Sequence, residues 1–226
     1  MNKNTVKIIL SPLFAPIATF LLLTIFGFIA IAEISAGNFL FFEDGHFCAN
    51  ITYICYALAG LTLLAYIKDF KNKRLNFVIF LFLLVAATLR EMGIQHWLTT
   101  TDTTAFKIRF FTNPNNPIHE KLIAGTILLT IASIVLYLIW KYTIPIWKGF
   151  WNKKPIEWTI CSLCALGIAS KIADRIPGNY RKSTGKELNE TLALILKIIE
   201  ECGEVILPIL VIIALLQHHL LEKKNK

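Results

Sequence analysis

Residues 8–32 read IILSPLFAPIATFLLLTIFGFIAIA, 25 positions without a charged side chain. At about 1.5 Å of rise per residue, a helix of that length exceeds the hydrocarbon core of a bilayer, which is about 30 Å thick. The run does not alternate apolar with polar side chains, as a strand of a membrane barrel must. The same test applied outward along the chain finds five more runs, at 50–67, 75–97, 122–140, 156–175 and 191–216. The run at 75–97, rich in Phe and Leu, reads as one continuous helix. Six spans leave little of the 226 residues for anything else. The expected architecture is all-α: a single integral membrane domain over 1–226, a polytopic transmembrane helical bundle of about six spans.

Composition agrees. The chain is 55% hydrophobic and 17% charged, with a mean hydropathy of +0.59, against about 25% charged residues in a soluble domain. Those figures exclude a disordered chain and argue against a water-soluble enzyme. Five cysteines are an odd number; Cys55, Cys161, Cys164 and Cys202 fall inside expected helices and only Cys48 in an outer loop. No disulfide framework is implied. Cys161-x-x-Cys164 has neither a second pair nor neighbouring histidines, so it reads as two small core residues.

Lys and Arg in short loops set the orientation. With the amino terminus inside, 13 of the 23 basic residues fall in cytoplasmic segments, among them Lys68, Lys71, Lys148, Lys153, Lys223 and Lys224. Of the 15 acidic residues, only Asp69, Glu157 and Glu222 fall there. Both termini are then cytoplasmic, in what reads as a bacterial plasma (inner) membrane. The net charge of +8 marks topology and contact with anionic lipid headgroups on that side, not nucleic acid. Trp140, Trp147, Trp151 and Trp158 crowd the second cytoplasmic loop, which Pro145 and Pro155 bracket, at the depth amphipathic rings prefer. Asn116-Pro117 reads as the cap and first residue of the fourth helix. Lys3, Lys7 and the run ending Ala30-Ile31-Ala32 match a signal peptide superficially. The apolar run exceeds the 7–15 residues of a signal core, so the segment is expected to be retained.

Asn50-Ile51-Thr52 and Asn189-Glu190-Thr191 fit the glycosylation pattern on the outer side, and His218-His219 read as interfacial residues of a basic tail. The informative residues are ionisable groups inside apolar helices, where each costs roughly 2.5–3.5 kcal/mol at mid-helix. Residues 191–216 contain Lys197, Glu200, Glu201 and Glu204, which at about 100° per residue share one arc of roughly 100°. The fifth span carries Lys171 and Asp174; the third carries Arg90 and Glu91 with His96 close by; Lys121 opens the fourth. By the assigned topology all of them lie toward the outer leaflet.

Three functions use such a set. A membrane enzyme acting on a lipid or lipid-linked headgroup would draw catalytic groups from Glu201, Glu204, Asp174 and Glu91, with Arg90, Lys121, Lys171, Glu200 and His96 binding the headgroup. A non-catalytic scaffold or subunit would use the same charges as structural ion pairs, with Lys197–Glu201 spaced i,i+4 and Lys171–Asp174 spaced i,i+3. A small transporter or channel would use the glutamates as a proton or cation site. The side chains have the ligand chemistry for a divalent metal, but no zinc-binding spacing indicates one, and the cofactor is left undefined.

Overall fold

In the computed structural model residues 2–37, 47–71, 73–100 and 104–224 are described, and every regular element among them is helical. The helices are α1 (Lys3–Ile9), α2 (Phe14–Ser35), α3 (Phe47–Ala65), α4 (Arg74–Glu91), α5 (Ile94–Trp97), α6 (Ile108–Thr112), α7 (Ile118–Trp151), α8 (Pro155–Thr184) and α9 (Glu190–Lys224), with a 3-10 turn at Ile67–Phe70. Four of them, α2, α3, α7 and α8, are long and apolar enough to cross a membrane. Their outward faces carry large apolar side chains such as Phe20 and Phe28, each 70% exposed. A water-soluble protein rarely presents so much contiguous apolar surface.

The chain divides into two compact units, Met1–Lys71 with Ile146–Lys226, and Asn72–Pro145. In the first, α9 is the hub: it packs on α8, α3 and α2, and α2 also meets α8. Its buried residues run from Leu196 through Cys202, Gly203, Val205, Ile206 and Leu210 to Gln217. Small residues permit the close packing that membrane helices rely on. Ala30 is fully buried with Cys48 and Val205, and Ala15 is fully buried with Leu166, Ile206 and Leu210. Ala15 and Ala30 are thus the points at which α2 enters the core. Where α8 crosses α9, a side chain on Gly203 would approach the Ser170 Cβ to 3.1 Å.

A polar knot ties the unit together at one end. Gln217, fully buried, accepts from the Thr159 hydroxyl at 2.7 Å and donates through Nε2 to the Ile9 carbonyl at 3.0 Å. The tight α7–α8 connection at 152–154 is closed by Trp158, whose ring stacks on Phe150 with centroids 4.5 Å apart and whose Nε1 donates to the Phe150 carbonyl at 2.9 Å.

In the second unit Ala105, Phe110 and Ala124 form a small core with Leu98, Phe106 and Phe111. Asn76 donates to the Tyr142 hydroxyl at 2.6 Å and accepts from Lys141 at 3.3 Å, joining α4 to α7.

The structure corrects several boundaries. The run 75–97 is not one helix: α4 stops at Glu91, because Gly93 takes φ +75°, a left-handed conformation that ends a helix, and α5 follows as a separate turn. Pro145 does not bracket a loop but lies inside α7, which continues to Trp151. Cys48 is in the first turn of α3, buried at 2% exposure, not in a loop. α7 begins at Ile118 rather than at Pro117, and the Asn116 amide donates to the Phe110 carbonyl at 2.7 Å. Asn189 is spent on capping α9, accepting from the backbone of Thr191 at 3.0 Å and Leu192 at 3.4 Å.

Candidate functional site

The carboxylate-bearing end of α9 is held against α8 by the Ser170–Gly203 crossing. Ser170 Oγ donates to the Glu200 carbonyl at 3.2 Å, which registers the two helices. That register puts Asp174 of α8 within electrostatic reach of Glu200, together with Lys197, Glu201 and Glu204 from α9 itself. Pro208, one turn further along, has no N–H for the Glu204 carbonyl, so the ladder is loosened under the cluster.

Most of the charges are neutralised locally. Lys197 Nζ lies 2.6 Å from Glu201 Oε1, an i,i+4 pair, and the Glu201 side chain is 17% exposed. Lys171 and Asp174 form the i,i+3 pair, and Arg175 Nε lies 3.8 Å from the same Asp174 carboxylate. Glu200 differs. Its carboxylate is partly buried and, among the described residues, makes no hydrogen bond and no ion pair within 4.0 Å.

Of the residues singled out from the sequence, the structure brings together Lys171, Asp174, Glu200, Glu201 and Glu204 on α8 and α9. Arg90, Glu91, His96 and Lys121 belong to the second unit. There Arg90 Nη1 lies 3.5 Å from Glu91 Oε1 at the end of α4, and His96 is in α5, just past the Gly93 break. Lys121 donates to the Asn113 carbonyl at 2.7 Å, an interaction that pins the segment before α7. Among the described residues no three His, Cys, Asp or Glu side chains are arranged to hold a metal ion.

Sequence reading missed two polar sites. Glu120, in the first turn of α7, is 6% exposed and accepts from the Thr100 hydroxyl at 2.8 Å. Asp69, in the 3-10 turn, meets His219 of α9, with Nδ1 donating to Oδ2 at 2.6 Å. The available signal was Asp69 itself, a solitary acid in a loop that otherwise holds Lys68, Lys71, Lys73 and Arg74.

No protein-family model, curated protein or solved structure matches the chain.

Proposed function

We propose that the chain is a six-span integral membrane protein of a bacterial plasma (inner) membrane, with both termini cytoplasmic, that acts as an enzyme on a lipid or lipid-linked headgroup near the outer leaflet. The four membrane-length helices become six with α4, about 27 Å long at 18 residues, and α9, about 52 Å long at 35 residues. The distribution of Lys and Arg supplies the orientation, and the lysines of the inner loops meet anionic headgroups.

Glu200 carries the reading. A partly buried carboxylate without an ion pair, one turn from Glu204 on the same face, is suited to deliver and recover a proton during headgroup transfer or hydrolysis. Glu201, tied to Lys197, acts as a fixed anion beside it. Lys171 and Arg175, which share Asp174, are exposed cations that would hold a phosphate.

A second reading, a non-catalytic scaffold, is favoured by one observation: Lys197–Glu201, Lys171–Asp174 and Arg90–Glu91 each pair within a single helix. The two readings separate in cells lacking the chain and complemented with wild type or Glu200→Gln. If the enzyme reading holds, Glu200→Gln reaches the membrane in normal amount and leaves the lipid mass profile of the deletion uncorrected. Full complementation by Glu200→Gln supports the scaffold. An unchanged lipid profile with altered ion tolerance would instead make Glu200 a transport site.

A further inference from the structure

We propose that Asp69 and His219 form a binding site for the phosphate of an anionic lipid headgroup, at the end of the first unit where the 3-10 turn meets α9. This deepens the proposed contact with anionic headgroups and rests on it. The depth fits: α3 is membrane-length, and the turn that carries Asp69 begins two residues after it ends.

The site is built rather than incidental. The Asp69 side chain is only 7% exposed, and its Oδ2 accepts from His219 Nδ1 at 2.6 Å. The Tyr66 ring lies flat on the imidazole, with centroids 4.2 Å apart and 4° between planes. Hydrogen bond and stack together fix both the position and the roll of the ring. Its two nitrogens are therefore unequal. Nδ1 is used, whereas Nε2 has no hydrogen-bond partner among the described residues, and 33% of the side chain reaches the surface. A carboxylate behind one nitrogen is how proteins present the other to a ligand. The neighbouring His218 is engaged elsewhere, its ring stacked on Phe70 and its Nε2 3.8 Å from Glu222.

Phosphate is the ligand whose chemistry fits. With Nδ1 given to Asp69, the ring presents Nε2–H to an anionic oxygen. Lys68, Lys71, Lys223 and Lys224, all exposed and within five residues of Asp69 or His219 along the chain, add positive charge to the same two segments. A transition metal would need additional ligands, and none are grouped for one among the described residues.

The test uses the full-length protein in uncharged detergent, titrated with short-chain phosphatidylglycerol and separately with inorganic phosphate. The lipid should bind saturably, and His219→Gln and Asp69→Asn should each weaken it about tenfold, the effect of losing one charge-assisted hydrogen bond. Asp69→Asn keeps the ring and carries the test if His219→Gln melts early. The Asp69 and His219 variants should still correct the lipid profile of the deletion as wild type does, so a failure here is distinct from a failure of the headgroup-enzyme reading. Neutralising Lys148, Lys153 and Lys154 together should also leave this binding intact, which separates it from diffuse lysine contact. No saturable binding, or equal binding by the Asp69 and His219 variants, overturns the proposal. Inorganic phosphate binding as tightly as the lipid, with the same losses, overturns its assignment to a headgroup.

Discussion

Ser170 and Gly203 face each other across the α8–α9 crossing, and the absence of a side chain on Gly203 is what lets the Ser170 hydroxyl reach the Glu200 carbonyl. Every relation between the α8 and α9 charges depends on that approach. Gly203→Leu should force the helices apart and lower thermal stability in detergent by about 1–3 kcal/mol, the usual cost of overpacking. Activity assigned to Glu200 should fall with it, whereas a bulky substitution at exposed Ile168 should leave both unchanged. A melting curve and the lipid profile check the two halves.

Gln217 bridges α8 and the end of α1 from a fully buried position. Gln217→Leu strands the Ile9 carbonyl and should cost about 1 kcal/mol. Limited proteolysis should then cut more readily between α1 and α2. Adding Thr159→Val should recover little of the loss, because the Thr159 hydroxyl keeps the Pro155 carbonyl as an acceptor at 3.0 Å.

Lys197 and Glu201 offer a charge-swap test. Lys197→Glu alone gathers four acids on one arc of α9 and should destabilise strongly. Glu201→Lys alone sets two lysines side by side and should destabilise less. The double swap restores the pair and should recover most of the loss, with a coupling of about 1 kcal/mol. Additive losses in thermal melts would mean the pair is incidental.

Two glycines should respond in opposite directions. Gly93 holds φ +75° at the α4–α5 break, whereas Gly60 sits in the interior of α3 with nothing within 4 Å of a built Cβ. Gly93→Ala should cost about 1 kcal/mol and Gly60→Ala should gain about 0.5–1 kcal/mol. Parallel melts of the two variants decide it.

Long apolar runs were legible because crossing lipid imposes a length and forbids unpaired backbone groups, a constraint written in composition. Helix ends were less so. Nothing local ends α7 at Trp140, and Pro145 is accommodated within the helix. The break at Gly93 was hidden in an apolar run because a single glycine is ambiguous until its backbone angle is known. On α9 the polar arc was visible from periodicity alone. That Glu201 is paired and Glu200, among the described residues, is not depends on rotamers and on the α8 partner, which spacing does not specify. Asp69 and His219 stand 150 residues apart, and no local pattern couples them.

The hub position of α9 has a consequence for biogenesis. Helices α2, α3 and α8 leave the ribosome before the segment they pack against, so each exists for a time without its principal neighbour. Chains stalled before Glu190 would lack Val205, Ile206 and Leu210, the α9 residues that complete the packing of Ala30, Ala15 and Leu166. Assembly of the first unit is thus gated on translation of α9, and nonsense mutations anywhere upstream of it should yield fragments that are degraded rather than partly functional.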